Sequence, residues 1–217
     1  MLKSLIMVFQ SFIGVNAADK PTNILLVTVD DMNWDSVGAF GNNIKDITPH
    51  IDRIASEGTK YKRAYVAASN CAPSRVAIQT GLYPQQSGAR GFFYINDDKT
   101  PTIATELKAN GFFTGVINKS TDTNPSPDTN KYWDFRSGFN KVAKYSAKGF
   151  GEKSADFFSQ VKQNKQPFYL VVNIADPHKP NFNDPKATNK GADVHAPSRI
   201  IAESEVTIPS FYLSFRQ

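Results

Sequence analysis

Three apolar runs constrain the fold of this chain more than anything else in it. Asn23-Ile24-Leu25-Leu26-Val27-Thr28-Val29, Phe112 to Ile117, and Phe168-Tyr169-Leu170-Val171-Val172-Asn173-Ile174 are short, nearly continuous and rich in β-branched or aromatic residues. Runs of this kind predict strands buried on both faces, as in a parallel sheet. Helical patterns lie between them. Thr48 as N-cap, Pro49 at the first position and Asp52 in the first turn open a helix that Gly58 stops. Pro101-Thr102 starts a second helix, with Ile103, Ala104 and Leu107 on one face and Gly111 at its end, and Gly151 to Gln163 reads as a third. Strand, helix, strand, helix, strand predicts an α/β fold, with a mostly parallel central sheet flanked by helices. A chain of 217 residues, 40% of them hydrophobic, has enough material for one core. Lys60 to Ala67 reads as extended and Thr121 to Asn130 as loop.

Open α/β sheets bind ligands beyond the carboxyl ends of their strands. Here the first strand runs into Asp30-Asp31, the second into Asn118-Lys119, and the third into Asp176-Pro177-His178-Lys179-Pro180. Two adjacent carboxylates repel unless a cation stands by them. Their hard oxygens suit Ca²⁺ or Mg²⁺, although an isolated Asp pair also caps turns. Lys119 would place a cation at a strand end, where a lysine taken alone is more often a solvated surface group. His178 sits between prolines that favour extended backbone. His50 and His195 read as structural or exposed.

Cys71 is the one cysteine of the chain, so it has no internal disulfide partner. Pro73 suits a first helical turn, which puts Cys71 at a helix N-terminus, where free N–H groups and the dipole favour an anion. Arg75 adds a fixed cation one turn on. Two readings stay open on position alone: a sulfur placed for chemistry, or a small buried hydrophobe.

The full string Cys71-Ala72-Pro73-Ser74-Arg75, continuing to Thr80-Gly81, resembles the signature of the type I sulfatases. Arg75 follows Cys71 by four residues, so the spacing is not that of a Cys-x5-Arg phosphatase loop. The resemblance implies an alkaline-phosphatase/sulfatase-like fold. It also implies oxidation of Cys71 to formylglycine by a formylglycine-generating or anaerobic maturing enzyme. It carries over Asp30 and Asp31 as ligands of a calcium ion (magnesium is possible), with the converted Cys71 as a further ligand. It gives Lys119 and His178 contact with the substrate sulfate, His178 as acid to the leaving group, and Arg75 a place beside the modified residue. The family pattern Gly-Lys-x-His reads Asn118-Lys119-Ser120-Thr121 here, so Thr121 stands where the family has a histidine. Thr48-Pro49-His50-Ile51-Asp52, Gln86-Ser87-Gly88 and Asp176-Pro177-His178 resemble the sulfamidase branch most. The resemblance runs from about Asn23 to about Pro185. A second metal pair, Asp followed by Asn or His, is not found, and the pattern after Asn181 is poor. The expectation is therefore the N-terminal part of a sulfatase catalytic domain over 18–217.

Met1-Leu2-Lys3, an apolar run from Ser4 to Val15, and Val15-Asn16-Ala17 before Ala18 read as a signal peptide over 1–17. The apolar run is too short for a transmembrane span. The implied location is secreted or periplasmic, or lysosomal in a eukaryote. Net charge is +5 without a dense basic block interleaved with aromatics, which argues against nucleic acid. The implied substrate is a sulfated carbohydrate. Two alternatives stand beside it: a phosphate or phosphonate ester hydrolase on the same fold, and a degenerate, non-catalytic homologue. Asn118-Lys119-Ser120 also spells a glycosylation sequon, discounted because a glycan there would cover the proposed site.

Overall fold

The structure is a computed structural model that describes residues 21–92, 99–124, 128–138, 146–179 and 197–206. The proposed signal peptide, His195, Pro180 and Pro185 lie outside the described residues. β1 (Ile24–Asp30), β2 (Phe113–Ile117), β3 (Phe135–Ser137) and β4 (Phe168–Pro177) form one sheet in the order β1-β4-β2-β3. Every pairing is parallel. The three predicted strands are present. β3 was not legible, since three residues carry too little periodicity to stand out from a loop.

Helices cover the sheet from both sides. α1 (Pro49–Glu57), α2 (Cys71–Thr80), α3 (Pro84–Ser87), α4 (Ile103–Ala109) and α5 (Ala147–Asn164) complete the regular helices. On one face, Ala104 of α4 packs with Val116, Tyr132, Trp133, Tyr169 and Val171, with Leu107 against them. α2 lies on the same side, since Gln79 Nε2 donates to the buried Tyr169 hydroxyl at 2.8 Å. On the other face, Phe150 and Phe157 of α5 pack on Phe113, Ile117, Leu170 and Val172. Gly115 makes that packing possible, because a Cβ there would stand 2.4 Å from Phe157 Cε2.

β1 departs from the expectation of burial on both faces. Among the described residues it pairs only with β4 and forms the sheet edge. Leu25 and Val27 are 53% and 54% exposed. They lie in register with Leu170 and Val172, on the α5 side, but beyond the helix's cover. The apolar run reports which residues can be buried; it does not report which faces a neighbouring element covers.

Local signals decide the helix ends. Thr48 sits at the N-cap position of α1, but its hydroxyl does not cap the helix. It accepts from the Gly38 amide at 2.9 Å and donates to Asp52 Oδ1 at 2.9 Å, tying α1 to the turn before it. Gly81 ends α2 with φ +70°, and its amide donates to Ala77 O at 2.8 Å. That left-handed conformation explains a glycine at this position of the motif. α5 begins four residues before the predicted start, because Ser146 caps it by accepting from the Gly149 amide at 3.1 Å. Lys60 to Ala67 contains no regular element.

Candidate active site

The carboxyl ends of β1, β2 and β4 converge, and the N-terminal half of α2 lies against them. Cys71 is the first residue of α2 and is partly exposed. The helix opens with the Ser74 amide donating to Asn70 O at 3.0 Å. A cavity of about 570 Å³ is lined by Cys71, Ser74 and Arg75 together with Asp30, Asp31 and Asn70.

Arg75 and Asp30 are buried, at 5% and 3% exposed. Arg75 Nη2 donates to Asp30 Oδ1 at 3.1 Å. Lys119 Nζ stands 2.6 Å from the other carboxylate oxygen, Asp30 Oδ2. Burial alone pushes the Asp30 carboxyl up; Lys119 first, then Arg75, outweigh it and hold the group below the ordinary carboxylate value. Asp30 is thus an anion clamped between two cations, each delivered by a different element. A buried charge in this setting depends on its partners, and losing one leaves it uncompensated.

Lys119 reaches Asp30 because the chain turns sharply after β2. Asn118 and Lys119 have φ +63° and +50°, two consecutive left-handed residues, neither of them glycine. The turn is held at several points. Thr123 Oγ1 donates to Lys119 O at 2.7 Å, and Asn118 Nδ2 donates to Asn173 O at 2.9 Å. The Asn118 amide of the sequon is therefore engaged inside the fold. Thr121 is exposed on the outside of this turn.

Asp31 differs from its neighbour. Its φ is +61° and its side chain is 66% exposed, with Oδ2 3.9 Å from His178 Nε2. His178 Nδ1 lies 2.7 Å from Lys179 O. A carbonyl only accepts, so Nδ1 carries the proton of that bond and Nε2 is left to face Asp31. His50 is exposed on α1, away from these groups.

The two aspartates are hard oxygen donors on one cavity, which fits a divalent cation in kind. They would make only part of a ligand set, since among the described residues no group of three or more His, Cys, Asp or Glu side chains could hold a metal ion. Sequence reasoning placed Asp30, Asp31, Cys71, Arg75, Lys119 and His178 near one another, and the structure brings them together. It missed Thr28 and Asn173, which bond to Arg75 from β1 and β4. Their signal was faint: single polar residues at inward positions of otherwise apolar strands.

The chain is thus an α/β protein with a buried acid, two cations and a helix-borne cysteine at the carboxyl ends of its parallel strands. The sulfatase family model matches residues 22–200, and the chain belongs to that family. The chain is 39% identical over 113 residues to the steryl-sulfatase of Mus musculus, covering 47% of this chain and 18% of that protein. It is 29% identical over 181 residues to the N-sulphoglucosamine sulphohydrolase of Homo sapiens, covering 77% of this chain and 34% of that protein. The crystal structure of Ps i-CgsB matches with a TM-score of 0.61 and 26% identity, over 79% of this chain and 48% of that one. The chain thus spans between about a fifth and a third of these two curated relatives, and about half of that solved structure. Among the described residues no helix is long and apolar enough to cross a membrane.

Proposed function

We propose that the protein is a sulfuric ester or sulfamate hydrolase whose reaction centre is residue 71. The observation that carries this reading is the cluster at the strand ends, where Cys71, Arg75 and Asp30 line one cavity and Lys119 pairs with Asp30 from the adjoining turn. Oxidation of Cys71 to formylglycine would supply a hydrated aldehyde, a nucleophile toward the sulfur of a sulfate group. Asp30 and Asp31 would contribute two of the oxygens of a bound calcium or magnesium ion, which supplies Lewis acidity.

The remaining steps belong to the chain's own side chains. Arg75 is fixed by three partners, Asp30, Thr28 and Asn173, so it cannot swing out to meet substrate. Its role is to hold positive charge beside residue 71 without reorganisation. Lys119 is held less rigidly, by ion pairs to Asp30 and Asp122 at 2.6 and 3.7 Å. It is the cation free to share itself with an incoming sulfate oxygen. The His178 Nδ1–H stays bonded to the Lys179 carbonyl, so Nε2 is the ring nitrogen left to pass a proton to the leaving alcohol or amine.

A sulfated sugar is the preferred substrate class. The relative matched over 77% of this chain is named for N-sulphoglucosamine, and the cavity wall carries Asn33, Ser69 and Asn70, which can bond to hydroxyl groups. The protein would meet such a glycan as a secreted or lysosomal enzyme after maturation by a formylglycine-forming partner. The test is a peptide mass spectrum across residue 71 of protein made in its own host, followed by sulfate release from an aryl sulfate and a sulfated glucosamine. Aldehyde mass in place of thiol, with sulfate release that Cys71→Ala abolishes, is the expected result. Sulfate release retained by Cys71→Ala would overturn the reading.

A further inference from the structure

Asn173 lies just past the middle of β4, 1% exposed, among Tyr169, Val171 and Ala175 on the same face of the strand. All its side-chain hydrogen bonds go to the site. Its Oδ1 accepts from Thr28 Oγ1 at 2.7 Å and from Arg75 Nη1. Its Nδ2 donates to the Asn118 carbonyl at 2.8 Å, and its own backbone carbonyl accepts from Asn118 Nδ2 at 2.9 Å. Arg75 Nη1 also donates to Thr28 Oγ1 at 2.6 Å, which closes a ring of three side chains.

We propose that Asn173 is a positioning residue that sets both cations of the site from one side-chain amide. The carbonyl half orients Arg75. The amino half, with the backbone carbonyl, pins Asn118 in its left-handed conformation and so aims Lys119 at Asp30. An amide is the side chain of this size that offers an acceptor to a guanidinium and a donor to a carbonyl at once. Leucine would satisfy neither partner, and aspartate would satisfy the first and repel the second. Leaving the Asn118 carbonyl unpaired inside the fold removes one of the bonds that hold two consecutive residues at positive φ. The hydrogen bonds of Asn173 go to Thr28, Arg75 and Asn118 and not to Cys71 or Asp31, so its influence reaches the reaction through Arg75 and Lys119. The consequence for catalysis rests on the reading of Lys119 as the sulfate-binding cation.

The test is competitive acylation of lysines in the whole protein, comparing Lys119 with Lys108. Lys108 is a sound internal reference, because its pair with Asp134 at 2.8 Å lies at the far end of β2 from Asn118. In Asn173→Asp, which keeps the acceptor and loses the donor, Lys119 is expected to react several-fold faster while Lys108 is unchanged. Equal Lys119 reactivity in a variant that melts like the parent overturns the proposal. The unaltered protein gives a second measurement that needs no variant. The Asn173 Nδ2 protons should exchange with solvent far more slowly than those of an exposed asparagine, and exchange at the exposed rate also overturns it. Inorganic sulfate separates this inference from the functional reading. Sulfate that fails to shield Lys119, in a protein where Asn173→Asp still raises its reactivity, sinks the anion-binding role and leaves the positioning role standing.

Discussion

Asp30 shows how much one residue can depend on its surroundings. Its carboxylate is buried yet ionised, because Lys119 and Arg75 stand on its two oxygens. Its pKa is lower in the folded chain than the ordinary value of 3.8, so the unfolded state takes up the proton first. The stability it contributes is therefore complete above the unfolded value and is lost as pH falls through the folded one. Asp30→Asn is expected to flatten the decline in melting temperature below about pH 4, the unfolded carboxylate range, while lowering it at pH 7, where two cations lose their anion. Thermal melts of the two proteins from pH 7 to pH 3 check both signs; parallel curves would contradict the assignment. That Asp30, Asp31, Cys71, Arg75, Lys119 and His178 lie near one another was legible in the sequence, because each stands at the end of an apolar run or in the Cys71 string. Their division of labour was not. Two adjacent aspartates look alike on paper, but Asp30 ends the strand facing Arg75, while Asp31 lies past it at φ +61° with its side chain 66% exposed.

At the scale of elements, Phe157 is the point of the α5–sheet contact with no spare room. Phe157 is fully buried and lies 5.5 to 5.7 Å, ring to ring, from Phe113, Phe135 and Phe168. Phe157→Ala should cost about 3–5 kcal/mol, the usual range for emptying an aromatic site in a core. Gly115→Ala should cost about 1–3 kcal/mol by the opposite route, since its new methyl meets that ring and Leu170 Cδ1. Denaturant melts measure both, and a neutral Gly115→Ala would show that α5 can move aside. Three of the four described strands were legible as apolar runs, and α1 and α4 from the prolines at their starts; α3, which Pro84 also opens, was too short to show. The start of α5 was obscured because Gly149 and Gly151 weaken the helical pattern, while the Ser146 cap that overrides them is one hydrogen bond.

For the whole molecule, the uncovered edge matters most. Leu25 and Val27 present an apolar, flat stretch on a strand whose outer edge has no partner among the described residues. Such an edge invites association. The chain is expected to self-associate at micromolar concentration, and Leu25→Lys with Val27→Lys should reduce light scattering without moving the Arg75–Asp30 pair, which lies on the opposite face. The sequence alone could not expose this liability, because an apolar run has the same letters whether or not another element covers it.

The strand order also sets a timetable. Asn173 follows Arg75 by 98 residues and Thr28 by 145. Because β1 pairs with β4 and not with β2, the first described strand to leave the ribosome meets its described partner only once β4 is made. At roughly 5–20 residues per second, residue 71 spends about 5–20 seconds outside the tunnel before its pocket can close. Any enzyme that must reach Cys71 in an unfolded segment has that interval as its opportunity. Nascent chains stalled ahead of Phe168 should already carry whatever modification the finished protein carries.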